Sequence, residues 1–428
     1  MADSSGNGET SPLLEAAFYG QLYCFKRLAN ELNMGDCLRK MLESIKDKNG
    51  RTAFHHAAIR GNTHICRYLL EEVEVDLINL RDGTVGETPL HQAIMAGHYT
   101  TAVYLLEKGA NPNVATDVGD TPLHYAVMKG YKKLLILLIS KGAEVNAKSD
   151  SSTPLVWAAS FGNKKAMKVL LDNNANPNML HLRVHSPLIE SISSGSSECV
   201  KLLLQAGADP NMVSGGMTPL HVAVSEGDSE IIKCLLNANA NPNAVNRYGL
   251  TPVELATLKG QHEVGLILLP VTTHFTSISN WSYDGIMSYL LSGEALKQWV
   301  NNSNELFLQL KSKGEDEVKR KEYTNAIYWY TECYLIKRSD ATIFSNISFC
   351  WARLDDGDKA LGCAQDCVSL RPDWPKAHYR EGVAWSLLNH FDKAAASFMA
   401  GLKLDPQNKE LHAAYCEALL RLSERGHD

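Results

Sequence analysis

The 428-residue sequence lacks the features of membrane-spanning, secreted and nucleic-acid-binding proteins. Its longest apolar runs fall far short of the ~20 residues that cross a bilayer, and its N-terminus has no signal-peptide character. The formal net charge of −6 is the opposite of the Lys and Arg excess that binding to phosphate backbones requires. We therefore expect no membrane span, no nucleic-acid partner, and a cytoplasmic location with entry into the nucleus left open.

Motifs of catalysis and of cofactor or metal binding are missing as well. The ten cysteines include no Cys-x-x-Cys pair, which favours free buried thiols in a reducing compartment. There is no Walker loop, no dinucleotide-binding Gly-x-Gly-x-x-Gly, no His-Glu-x-x-His and no nucleophile elbow. We expect neither an enzyme nor a cofactor nor a metal site.

What the sequence does contain is two internal repeats of different period. The first has steps of 32 or 33 residues, and the second has steps of 34. Fixed periods of this length predict stacked helical units that share one core, and hence a binding protein. The first period is marked by Pro after Thr88, Thr121, Thr153, Ser186, Thr218 and Thr251. The second is marked by Gly314, Ser348 and Gly382, by Ala326, Ala360 and Ala394, and by Pro372 and Pro406.

The first array resembles the ankyrin repeat family over residues 11–270. The segments Thr88–His91, Thr121–His124 and Thr218–His221 read Thr-Pro-Leu-His, which is the signature of that family. In each unit Thr is a helix N-cap, and Pro occupies the first helical position, where no N–H is needed. The connection between the units at Thr52 and Thr88 is three residues longer than the others.

The signature histidines could bind a metal ion, or they could form hydrogen bonds with nearby backbone and turn groups. We expect the hydrogen bonds, because none of these histidines forms a pair at zinc-ligand spacing. Val156, Ile189 and Glu254 replace this His in three units, which predicts a weaker local hydrogen bond there.

Variable positions on the concave face are expected to bind a protein partner. In the family these follow the Thr by seven and eight residues, and here they include Ile59, Met95, Met128 and Phe161. A contiguous apolar surface of this kind marks interaction sites, but the same side chains could instead pack under the adjoining loops. Tyr125 and Trp157 are expected to lie in the core.

The second array resembles three tetratricopeptide (TPR) repeats over residues 305–406, followed by a helix from Lys409 to about Ser423. The resemblance implies antiparallel helix pairs whose first helices line a groove. The whole chain is therefore expected to be all-α, with two helical repeat solenoids. We expect the following division: a flexible tail over 1–10, the ankyrin array over 11–270, a linker with capping helices over 271–302, and a TPR domain over 303–428.

Part of the second array is similar to carboxylate-clamp co-chaperones, which hold the C-terminal Glu-Glu-Val-Asp tail of heat-shock chaperones. Lys376 and Arg380 share a helix face at i, i+4, and Asn346 stands one 34-residue repeat before Arg380. Arg353 is expected to reach the penultimate acidic residues of such a tail. Four of the five clamp positions are matched, by Lys311, Asn346, Lys376 and Arg380.

Glu315 departs from this pattern, because the family has Asn at that position. Its carboxylate would oppose that of a ligand, at a cost from ~1 kcal/mol in water to ~4 kcal/mol at a protein surface. Lys311, one turn earlier, could neutralise Glu315 instead of the ligand. Three hypotheses follow: the groove binds a chaperone tail, it binds another acidic peptide, or its charges form a solvated face.

These features together predict a non-enzymatic adaptor. The TPR array is expected to bind a heat-shock chaperone tail, while the ankyrin array binds an unidentified protein. One alternative is a scaffold that joins two other proteins. Another is an ankyrin targeting factor that recognises a lipid or organelle surface.

Overall fold

The structure is a computed structural model that describes residues 11–32, 38–150, 152–179, 186–275, 278 and 280–425. Within these ranges the regular structure is helical, apart from an isolated bridge between Ser214 and Met217. The predicted all-α class is confirmed. No helix in the described ranges is long and apolar enough to cross a membrane. The tail predicted for residues 1–10 lies outside the described residues.

The helices divide between two compact units, Met1–Asn178 with Ser194–Ala208 and Met179–Ser193 with Asp209–Asp428. Those of the first array are α1 (Pro12–Phe18), α2 (Leu22–Leu32), α3 (Leu38–Ser44), α4 (Ala53–Ile59), α5 (Thr63–Arg67), α6 (Pro89–Met95), α7 (Tyr99–Glu107), α8 (Pro122–Lys129), α9 (Lys132–Ser140), α10 (Pro154–Ser160), α11 (Lys164–Asp172), α12 (Pro187–Ser193), α13 (Ser197–Gln205), α14 (Pro219–Glu226), α15 (Ser229–Asn237), α16 (Pro252–Leu258) and α17 (His262–Leu268). Those that follow are α18 (Tyr283–Leu290), α19 (Gly293–Lys319), α20 (Tyr323–Ile336), α21 (Ala341–Arg353), α22 (Gly357–Leu370), α23 (Pro375–Leu387), α24 (Phe391–Leu404) and α25 (Lys409–Arg425).

The first helix of a repeat begins at the Thr-Pro pair because Thr, Pro and the signature His together satisfy the helix start. In α6 the main-chain N–H of Thr88 donates to Nδ1 of His91 (3.1 Å), and Thr88 caps the helix. The buried His91 ring then donates through Nε2 to the carbonyl of Asp120 in the next repeat (3.2 Å). His55, His124 and His221 bond in the same way to the carbonyls of Leu80, Ser152 and Leu250. The prediction that these histidines bond to backbone groups is confirmed.

The longer connection after α5 is accommodated by a change of helix type. A π-helix, Tyr68–Glu72, continues directly from α5, and Glu74 then adopts a left-handed conformation with φ of 58°. Since a π-helix fits more residues into each turn than an α-helix, this segment takes up part of the extra length.

The prediction of a weaker hydrogen bond at Glu254 was wrong. One carboxylate oxygen of Glu254 accepts from both the N–H of Thr251 (2.8 Å) and its hydroxyl (2.7 Å), so Glu254 replaces the signature His in capping α16. Its other oxygen accepts from the indole N–H of Trp299 (3.2 Å). The substitution therefore adds an attachment point for α19.

The helices from α19 to α24 form three antiparallel hairpins, and α25 packs on α24. Small residues recur where the paired helices meet. A Cβ on Gly314 would lie 2.6 Å from the ring of Tyr330, and one on Gly382 would lie 2.4 Å from the ring of Phe398. These positions require glycine because an aromatic ring of the second helix occupies the space.

Helix α19 runs without a break across residues 302 and 303, where the linker was expected to end and the TPR domain to begin. Asn302 donates to the carbonyl of Gly249 (3.0 Å), and Ser303 donates to that of Arg247 (3.1 Å). Gly249 has φ of +80°, and a Cβ there would lie 2.1 Å from the carbonyl oxygen of Trp299. The division at residue 303 stays a prediction, but the segment on both sides of it contacts the last ankyrin-type repeats of its own unit.

Candidate peptide-binding surfaces

The predicted clamp residues lie on the first helices of three successive hairpins. Lys311 is on α19, Asn346 is on α21, and Lys376 and Arg380 are on α23. These three helices run in the same direction, because an antiparallel helix separates each from the next. We call the surface that they share the clamp groove.

Positively charged side chains lie close enough together in the clamp groove to repel one another. The pKa of Lys376 is lowered by burial first, then by the charge of Arg380, and further by that of Lys311. Glu410 on α25 raises the pKa of both Lys376 and Arg380, but less strongly. In the described part of the chain, neither these three cations nor Arg353 forms an ion pair with a carboxylate.

Arg380 is half-buried and incompletely hydrogen-bonded. Burial lowers its pKa, and its Nε atom is buried without a hydrogen-bond partner among the described residues. The guanidinium carbon of Arg380 lies 4.7 Å from the ring centroid of Phe349, and that of Arg353 lies 5.2 Å from the same centroid. Sequence reasoning missed Phe349, although it stands one 34-residue repeat after Glu315.

Glu315 and Asn346 lie near the same hydroxyl group. Burial raises the pKa of the Tyr330 hydroxyl, the charge of Glu315 adds to this rise, and a hydrogen bond with Asn346 opposes it. Glu315 itself is exposed. Its carboxylate is therefore accessible to a ligand that occupies the clamp groove.

Lys311 is not paired with Glu315 among the described residues. Its ammonium group donates instead to the hydroxyl of Thr342 on α21 (3.4 Å), and this hydroxyl donates to Asp340 (2.6 Å). Lys311 is thus directed across the groove, and Glu315 forms no ion pair among the described residues, although Lys319 lies one turn further along α19.

The predicted surface on the ankyrin-type repeats is partly exposed. The side chains of Phe161 and Met95 are 57% and 36% exposed, whereas Ile59 and Met128 are half-buried. Phe161 and Met95 are therefore the members of the set that a partner could contact without any rearrangement.

The expectation that Tyr125 and Trp157 are core residues was wrong. Both are half-buried, and their ring centroids lie 6.5 Å apart. The ring of Phe161 follows at 6.3 Å from that of Trp157. The hydroxyl of Tyr125 donates to Glu87 (3.0 Å). We call Met95, Tyr125, Trp157 and Phe161 the aromatic face.

A family model described as "Ankyrin repeats (3 copies)" matches more than half of the chain. The matches cover residues 13–116, 83–149, 112–181, 146–214 and 188–278. The chain is also similar to the crystal structure of the human ASB11 ankyrin repeat domain. That alignment has a TM-score of 0.43 and 26% identity, and it covers 62% of this chain and 100% of that domain.

The C-terminal part is similar to two further proteins. The Hsp70-Hsp90 organizing protein of Triticum aestivum is 33% identical over 101 residues, which are 24% of this chain and 17% of that protein. Tetratricopeptide repeat protein 28 of Homo sapiens is 33% identical over 100 residues, which are 23% of this chain and 4% of that protein. The chain thus spans a small fraction of the length of each relative. The predicted resemblance of the C-terminal part to tetratricopeptide repeats is confirmed.

Proposed function

Since the chain belongs to the ankyrin repeat family and ends in helices similar to tetratricopeptide repeats, we propose that it is an adaptor between two proteins. The clamp groove captures the free C-terminal end of one partner, and the aromatic face contacts the other. The acidic tail of a heat-shock chaperone is the first candidate for the groove, because one relative is named as an organizing protein of Hsp70 and Hsp90. The predicted cytoplasmic and nuclear locations stay predictions.

One observation carries this proposal: the cations of the clamp groove form no ion pair with a carboxylate among the described residues, and one buried donor of Arg380 has no acceptor there. The Nε atom of Arg380 is buried without an acceptor, and Lys376 and Lys311 have no carboxylate partner in the described residues. A terminal carboxylate supplies two acceptor oxygens and a negative charge, and it would relieve the repulsion among these cations. Charge-assisted capture of a peptide C-terminus is a recurring mode of peptide recognition.

The test is calorimetric titration of the full chain with a peptide ending in Glu-Glu-Val-Asp, as the free acid and as the C-terminal amide. We expect the free acid to bind and the amide to lose at least tenfold in affinity. Arg380→Ala should weaken binding of the free acid by roughly thirtyfold or more, since removal of one member of a buried charge pair costs ~2–5 kcal/mol. Arg421→Ala on α25 is the matched control and should bind as the wild type does. Equal binding of acid and amide would overturn the proposal.

A second candidate for the groove is a C-terminal peptide that does not come from a chaperone. The exposed carboxylate of Glu315 favours this candidate, because it has the same charge as an acidic tail and would repel it. In that case the chain is a scaffold between two other proteins.

A further inference from the structure

The position of Glu315 in the clamp groove follows from helix geometry. Lys311 and Glu315 are four residues apart and therefore share one face of α19. The contact between Lys311 and Thr342 shows that this face is turned towards α21. Asn346 is one turn beyond Thr342, just as Glu315 is one turn beyond Lys311, and the two helices run in the same direction. Glu315 is therefore level with Asn346.

The clamp groove thus contains charges of both signs at different places. Lys311, Lys376 and Arg380 form its cationic part, and Glu315 adds a carboxylate with no ion pair among the described residues. The neighbouring Lys319 is paired with Asp316 instead (2.8 Å). An entirely acidic peptide end complements the cations and is repelled by Glu315. A peptide that has a terminal carboxylate and a basic last side chain complements both.

We propose that Glu315 makes the clamp groove selective for C-terminal peptides whose last side chain is Lys or Arg, with the terminal carboxylate held by Lys376 and Arg380. The inference rests on the proposed capture of a free C-terminus, and it names the chemical class of the ligand. It ranks a peptide ending in Lys above the acidic chaperone tail. Because Glu315 is exposed, each of its charge contacts is expected to change affinity by no more than roughly fivefold.

The experiment uses the full chain and three peptides that differ only in the last residue: Glu-Glu-Val-Lys, Glu-Glu-Val-Asp and the neutral Glu-Glu-Val-Ala. Each is titrated as the free acid and as the amide. The measured quantity is the ratio of the Kd for the Asp peptide to that for the Lys peptide. Glu315→Gln removes the charge at nearly constant size. Asp316→Asn is the matched control, because it removes the same charge from the adjacent residue, which pairs with Lys319.

We expect a ratio of at least fivefold for the wild type and for Asp316→Asn, and a ratio near or below one for Glu315→Gln. The Ala peptide should lie between the other two. A wild-type ratio of one or less overturns the inference, as does a ratio that Glu315→Gln leaves unchanged. If one of these two results is found but the free acids still bind more tightly than the amides, capture of the C-terminus survives and only the selectivity fails. If acids and amides bind equally, the proposed function itself fails.

Discussion

The carboxylate of Glu332 accepts a hydrogen bond of 2.6 Å from the main-chain N–H of Gly216. Its other oxygen accepts one of 2.7 Å from Gly215. Glu332 is only 4% exposed, and the two glycines have φ of 63° and 70°. Consecutive left-handed residues direct their N–H groups towards one anion. Helix α20 of the second array is thus fixed to a loop of the last ankyrin repeats in the same unit.

Replacing Glu332 should destabilise this unit. We expect Glu332→Ala to lower the free energy of unfolding by ~2–4 kcal/mol, because the buried N–H of Gly216 and the part-buried N–H of Gly215 lose their acceptor. Glu332→Gln should cost less, since its amide oxygen can still accept from one glycine. Urea denaturation followed by circular dichroism measures both changes. Glu424→Ala on the exposed face of α25 is the control, with an expected change within ~0.5 kcal/mol. If all three variants unfold alike, the contact contributes nothing to stability.

The same contacts predict how the second array behaves when it is isolated. A fragment of residues 209–428 keeps the partners of Glu332 and also the carbonyl of Val213, which accepts a hydrogen bond of 2.6 Å from Tyr328. A fragment of residues 303–428 lacks them, and it also exposes apolar residues of α19 and α20 that pack with Val213. We expect both fragments to be helical, with a clearly lower melting temperature for the shorter one. Equal melting temperatures would show that the second array is energetically independent of the repeats before it.

The concave surface predicted on the ankyrin-type repeats, to which Met128 and Phe161 belong, gives a prediction about the other partner. Phe161 is largely exposed and Met128 is half-buried, so Glu can replace both with little loss of packing. We expect Met128→Glu combined with Phe161→Glu to abolish capture of the ankyrin-side partner from cytosol, while thermal stability changes little. Leu266→Glu, at an exposed position on α17, is the control and should retain capture. A large fall in melting temperature would instead identify Met128 and Phe161 as core residues.

Sequence periodicity predicted the parts of the fold that are held by local interactions. Thr88, Pro89 and His91 complete a helix start within four residues, and Gly314 and Gly382 make room for a ring on the adjacent helix. Such requirements recur in most units, and the period reveals them. The final helix, α25, was predicted for the same reason.

Interactions that occur in only one repeat leave no periodic pattern in the sequence, and for this reason they were not predicted. Glu254 was interpreted as a weakened signature position, although its second oxygen binds Trp299, 45 residues further along the chain. Glu332 could not be distinguished from a solvated charge, because its partners are main-chain N–H groups 116 and 117 residues away. The adjacent pair Gly215-Gly216 was the available signal, since no other repeat has this pair in its loop. In the clamp groove, the sequence identified the charged residues but not Phe349, whose role depends on two arginines from different helices.

The signature histidines predict a loss of stability in mild acid. Burial lowers the pKa of His55, His91 and His221 to about 4, from about 6.5 in the unfolded chain. Between these values the unfolded chain binds more protons, so the stabilisation is complete above pH 6.5 and is lost as the pH falls towards 4. Each histidine contributes a slope of up to ~1.4 kcal/mol per pH unit in this window.

Urea midpoints at pH 7.5, 6.0 and 5.0 measure this slope, which His91→Gln should reduce because Gln does not titrate. His412→Gln on the exposed side of α25 is the control and should leave the slope unchanged. If the midpoints are the same at pH 7.5 and 5.0, burial does not hold these rings neutral.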